Sequence, residues 1–103
     1  MNIKEAQIDV DEKIKQYGGY WSELSMYTRL VEEVGELGRA LNIKYGGKKK
    51  KSESDGNELP DEIGDVFFTL LAICNKLDID LETVFLEKNK KTHETYKKTY
   101  KDK

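Results

Sequence analysis

Glu62-Ile63-Gly64-Asp65-Val66-Phe67-Phe68-Thr69-Leu70-Leu71-Ala72-Ile73-Cys74 is the most apolar run of a chain in which 37% of the residues are charged. From Val66 onward it is apolar almost all round, so it predicts a helix that is central to the protomer or shared with a second subunit. Pro60 stands just ahead of it and fits a first helical turn, where its missing N–H is no loss. Asn57 or Leu59 falls near the expected cap, and Asp61 and Glu62 suit the positive end of the helix dipole.

Working outward, Tyr27, Leu30, Val31, Val34, Leu37, Gly38 and Leu41 form one stripe of a preceding helix. It runs from Ser22 or Leu24 to Tyr45, with Ser22 or Ser25 as the cap and Gly46-Gly47 as the stop. Ile3, Ala6, Val10, Ile14 and Tyr17 step by three or four, with Gln7 the polar exception, and predict a first helix ended by Gly18-Gly19. Leu77-Asp78-Ile79-Asp80 reads as a turn, and Asp80 can cap a fourth helix over residues 81–96 that passes into a lysine-rich tail, 97–103. Residues 46–58 contain no apolar side chain and read as a mobile loop. No strand period is present, so the expected fold class is all-α. One domain spans residues 1–103, a four-helix protomer that completes its burial in a homo-oligomer, a dimer or tetramer.

A lone Cys74 excludes an intramolecular disulfide and a cysteine-based metal cluster; it reads as core, and the lone His93 as surface. No apolar run approaches the roughly 18 residues of a membrane span, and Met1-Asn2-Ile3-Lys4-Glu5 lacks a signal-peptide core, so a cytoplasmic protein without a membrane partner is expected. With 20 acidic and 18 basic residues the net charge is −2, which argues against a nucleic-acid polymer as partner. Charge is nevertheless segregated. Residues 52–86 carry 9 acidic groups and 1 basic, whereas residues 87–103 carry 7 basic and 3 acidic. Such blocks suit a site that holds a cation and a polyanion together, or simply solvated helix faces.

The chemistry concentrates in two acidic motifs, Glu32-Glu33-Val34-Gly35-Glu36 and Glu62-Ile63-Gly64-Asp65, each beside a glycine suited to close packing, Gly35 or Gly64. At about 100° per residue, Glu33 and Glu36 lie about 60° apart on one flank of their helix, and Glu62 and Asp65 are related in the same way on the next. If those helices pack antiparallel by their apolar stripes, four carboxylates gather around one point. Such a group needs a counter-charge, and an all-oxygen donor set selects Mg²⁺, with Mn²⁺ as a substitute. Ordinary exposed glutamates are the alternative for either motif alone. A di-iron carboxylate bundle is disfavoured because it needs Glu-x-x-His repeats.

EExxE followed by ExxD on neighbouring helices resembles the MazG-like nucleoside triphosphate pyrophosphohydrolases, all-α enzymes. The resemblance extends through Arg29 to Leu37, Asn42 to Gly46, Glu62 to Phe67 and Leu77-Asp78-Ile79, and is greatest for the short stand-alone bacterial type. It implies hydrolysis of a (d)NTP between the α and β phosphates, giving the monophosphate and pyrophosphate, as in house-cleaning of the nucleotide pool. It implies Glu33, Glu36, Glu62 and Asp65 as Mg²⁺ ligands and Glu32 as the residue that orients or deprotonates the attacking water. Lys88-Asn89-Lys90-Lys91 is similar to the family's phosphate-contact segment, with Lys88, Asn89 and Lys91 as the contacts, although Thr92 stands near where an Arg is often found. Trp21, beside Tyr20, falls where the family forms its base pocket and can stack on a nucleobase or staple the first helix to the second. Lys48 to Lys51 attract triphosphate or solvate their loop. Two other functions fit the same helices: a non-catalytic interaction or regulatory module, and pyrophosphate removal from phosphoribosyl-ATP.

Overall fold

The computed structural model describes residues 1–47 and 59–100. The expected loop beyond Gly47, with Lys48 to Lys51 and Asn57, and the end of the tail lie outside the described residues. Four helices follow one another, α1 Ile3–Gln16, α2 Glu23–Tyr45, α3 Leu59–Lys76 and α4 Leu81–Tyr100. The described residues include no strand, in keeping with the all-α expectation.

Local chemistry sets these boundaries. The Asn2 side chain accepts from the Glu5 N–H at 2.8 Å while the Glu5 carboxylate accepts from the Asn2 N–H at 2.8 Å, a reciprocal cap that starts α1. Gly18, at φ 119°, turns the chain out of α1, and the Gly19 N–H reaches back to the Ile14 carbonyl at 2.8 Å. Ser22 caps α2 by accepting from the Ser25 N–H at 3.2 Å. At the end of α3, Asp78 adopts φ 57°, Ile79 N–H bonds to the Cys74 carbonyl at 2.8 Å and Asp78 N–H to that of Asn75 at 3.3 Å. That pairing closes α3 with an aspartate in the left-handed position usually held by glycine. Asp80 then caps α4 through Thr83. α4 continues past the expected end at Tyr96, because Tyr96 and Tyr100 meet edge-on one turn apart, 5.8 Å between ring centres.

α3 is the central element: α1 and α2 both pack on it, and α4 packs on α1. Gln7 meets Asn75 near one end of α3, whereas Ile14 lies with Phe68 and Thr69 further back, so α1 runs antiparallel to α3. Met26 packs with Leu71 and Ala72 while Glu33 meets Glu62 and Asp65, so α2 is antiparallel to α3 as well. Val10, Met26, Leu71 and Ala72 form the buried cluster, edged by Ile3, Ala6, Ile14, Tyr20, Ile73 and Leu81. Gln7, the polar exception in the α1 pattern, is only 8% exposed. Its amide donates to Asn75 Oδ1 at 3.0 Å and to the Ile79 carbonyl at 2.9 Å, and it accepts from the Leu81 N–H at 2.9 Å. Asn75 returns a bond to the Gln7 carbonyl at 2.9 Å. This clasp holds α1 against the α3–α4 turn and satisfies an N–H that the start of α4 leaves open.

The protomer is open. Its radius of gyration is 17.1 Å, against about 13 Å for a compact chain of this length. Tyr27, Val31, Val34 and Leu41 on α2 and Ile63, Phe67 and Leu70 on α3 remain exposed. The expectation that Gly35 and Gly64 allow close helix packing is overturned within this chain, because a Cβ at either would meet nothing within 4 Å. Both glycines look outward; the α2–α3 contact is made by larger side chains.

Gln7→Leu keeps the volume but strands the Leu81 N–H, the Asn75 Oδ1 and the Ile79 carbonyl. We expect a loss of about 2–3 kcal/mol, a drop in thermal midpoint on the order of 10 °C or more. Gln16→Leu, at the exposed end of the same helix, should stay within about 0.5 kcal/mol of wild type. Paired denaturation curves check both.

Candidate active site

The antiparallel α2–α3 pair sets the flank of one acidic motif against the flank of the other. One carboxylate oxygen from each of Glu33, Glu62 and Asp65 lies within 4.8 Å of the other two. Glu36 is exposed and lies outside this triad, yet its charge still acts on Glu62. Burial, and then the charges of Asp65, Glu36, Glu33 and Asp61, push the Glu62 carboxyl above its ordinary value of 4.5. Glu32, about 100° round the helix from Glu33, is exposed at the rim.

The donor set fits a small hard cation. Neighbouring oxygens on one octahedral Mg²⁺ stand about 3 Å apart, so the three carboxylates, already within 4.8 Å of one another, would have to draw inward to hold it. The absence of sulfur and imidazole from the triad disfavours zinc and copper, and crowded carboxylates gain most from a divalent charge.

Beside the triad lies a cavity of about 420 Å³ lined by Lys13, Ile14, Tyr17, Gly19, Tyr20, Trp21, Met26, Arg29, Phe68, Thr69 and Ala72. Trp21 is 55% exposed at this cavity, and Tyr20 rather than Trp21 packs against the core, so the stapling role falls to Tyr20. The Tyr20 hydroxyl donates to Asp11, which also pairs with Lys15 at 2.9 Å. Burial first, then the Asp11 contact, pushes the Tyr20 hydroxyl up to about 12, while Tyr20 and Lys15 hold the Asp11 carboxyl below its ordinary value. Arg29 joins the two regions. Its Nε donates to Glu33 Oε1 at 2.8 Å, and its guanidinium lies 5.5 Å from the centre of the Trp21 ring. Sequence reasoning used Arg29 only as part of a motif; its spacing of four from Glu33 was the available signal.

Lys88, Asn89 and Lys91 are exposed on α4. That helix begins beside Gln7 and Asn75, thirteen residues along α3 from Glu62, or about 20 Å. Lys88, Asn89 and Lys91 follow on α4, whose packing is chiefly on α1. Cys74 is half-buried, its thiol pushed up by burial, and His93 is exposed.

Because native Glu62 holds its proton more tightly than the unfolded chain does, stability falls as pH rises through an interval beginning near 4.5. Glu62→Gln should therefore be more stable than wild type at neutral pH in EDTA. The advantage should vanish below about pH 4, where both chains are neutral at this position. Urea unfolding at the two pH values reads the difference.

Comparison with known proteins gives a consistent result. The profile of the MazG nucleotide pyrophosphohydrolase domain matches residues 21–99. YpjD of Bacillus subtilis (strain 168), an uncharacterized protein, is 48% identical over 81 residues, which are 78% of this chain and 73% of that one. The YpjD crystal structure, proposed there to be of a pyrophosphatase, superposes with a TM-score of 0.76 at 39% identity, covering 99% of this chain and 97% of that one. The crystal structure of a MazG protein conserved in Bacillus, a nucleotide pyrophosphohydrolase, gives a TM-score of 0.74 at 38% identity over 88% of each chain. With its acidic motifs inside the matched segment and its four helices in the same arrangement, the chain belongs to the MazG nucleotide pyrophosphohydrolase family.

Proposed function

We propose that the protein hydrolyses a nucleoside triphosphate between its α and β phosphates with Mg²⁺, releasing the monophosphate and pyrophosphate. The observation that carries this reading is the convergence of Glu33, Glu62 and Asp65 beside an aromatic cavity. Glu33, Glu62 and Asp65 hold the cation, and Glu36 joins them by a change of rotamer; Mn²⁺ is the natural substitute. The bound cation neutralises the triphosphate and the charge that develops on it during displacement. Glu32, at the rim, orients the attacking water or takes its proton, and Trp21 stacks on the base in a cavity whose size suits a small-molecule ligand.

Assembly follows from the same geometry. The exposed faces of α2 and α3 form an apolar surface that a second copy covers, so the working form is a homo-oligomer, a dimer or tetramer. Lys88, Asn89 and Lys91 then meet phosphate across a subunit boundary. As a cytoplasmic house-cleaning enzyme it would act on free nucleotides; among the described residues no helix is long and apolar enough to cross a membrane.

Incubated with a (d)NTP panel, the protein should release pyrophosphate and no orthophosphate, and only with Mg²⁺ or Mn²⁺. Asp65→Asn and Glu36→Gln should lose about 100-fold or more in turnover while their circular dichroism stays that of wild type. Wild-type activity in both variants rejects the ligand assignment, and a preference for phosphoribosyl-ATP over every (d)NTP rejects the substrate class. In sedimentation at micromolar concentration the protein should exceed its 11.9 kDa monomer mass at least twofold.

A further inference from the structure

Arg29 sits between the two halves of the site and touches both. It stands four residues, about one helical turn, ahead of Glu33 on α2, and its Nε donates to Glu33 Oε1 at 2.8 Å. The Glu33 side chain is only 14% exposed, whereas that of Arg29 is 48% exposed. The pair therefore anchors a sheltered carboxylate from the solvent side. Beyond that bond the guanidinium lies 5.5 Å from the centre of the Trp21 ring and forms part of the cavity wall. A planar cation at this distance from an indole is attracted to its face.

We propose that Arg29 is a positioning residue that couples the cation site to the aromatic cavity. The inference rests on the reading of Glu33 as a ligand of the divalent cation. A carboxylate has two oxygens, so the bond from Arg29 to one of them leaves Glu33 with acceptor capacity for a cation. Hydrogen-bond partners of this kind fix the orientation of a metal-binding carboxylate, and their loss weakens metal affinity by about 10–100-fold. Because the same guanidinium lies against Trp21, any change in the hold of Glu33 on Arg29 is passed to the indole. Linkage makes the effect mutual: a base stacked on Trp21 alters cation affinity by the same factor that the cation alters stacking. A lysine cannot replace this residue, since an ammonium has neither the planar face nor the side-on Nε donor.

The chain has a single tryptophan, so its emission reports the cavity alone. Mg²⁺ is titrated into the nucleotide-free full-length protein by calorimetry and, in parallel, by tryptophan fluorescence. Wild type should bind Mg²⁺ and show a saturable emission change with the same midpoint. Arg29→Gln should bind about 10–100-fold more weakly and show no emission change even when saturated. Should Arg29→Gln fail to fold, Arg29→Lys, which keeps the charge and the helix propensity, is read for the same loss of the emission change. Wild-type affinity in the folded variant overturns the inference, and so does an emission change that persists in it or is missing from wild type that binds Mg²⁺. Absence of Mg²⁺ binding to wild type instead rejects the metal reading itself, and the coupling falls with it.

Discussion

Like charges brought together between α2 and α3 are the constraint around which the protomer is arranged. Glu33, Glu62 and Asp65 repel one another, so the two helices must be held in register by contacts elsewhere. Met26 against Leu71 and Ala72 supplies an apolar contact between the two, and α1 packs into the same cluster through Val10 and Ile14. The Gln7–Asn75 clasp fixes α1 lengthwise, because its hydrogen bonds are directional where the apolar contacts are not. Each of these supports lies toward the end of α3 away from the acids. A cation between the carboxylates would convert the strained end into a bound one.

Helix positions, the two acidic flanks and the caps at Ser22 and Asp80 were legible from the sequence because each depends on contacts within a turn or two. Antiparallel packing of α2 on α3 was legible too, as the condition that brings the motifs together. Gln7 was not, since its partners are about seventy residues away and a lone polar residue in an apolar stripe gives no sign of them. Arg29 was hidden for a different reason: an i, i+4 pair with Glu33 is a common surface feature, and only the position of Trp21 in space gives it another role. Gly35 and Gly64 misled because close packing was assumed to lie within the chain, whereas both face open space. Lys88, Asn89 and Lys91 are carried by a helix that packs on α1, so their relation to the acids depends on contacts beyond a turn or two that no local pattern encodes.

The exposed apolar surface follows from the acidic site. On a helical wheel centred on Glu33, Met26, Leu37 and Ala40 fall within about 40°, which is the face that α2 turns toward α3. Leu41, Val34, Tyr27 and Val31 fall between about 80° and 160° round from it, on one side only. Counted from Glu62, Leu70, Ile63 and Phe67 of α3 lie between about 80° and 140° in the same sense. Turning either helix to bury its outer apolar face against the other would carry its carboxylate roughly a quarter turn away and dissolve the triad. A single chain can therefore satisfy the acids or the apolar faces, but not both. With the acids placed together, the remaining apolar area is left on a surface that none of the described helices covers, and its exposure to water is the cost of the acidic site.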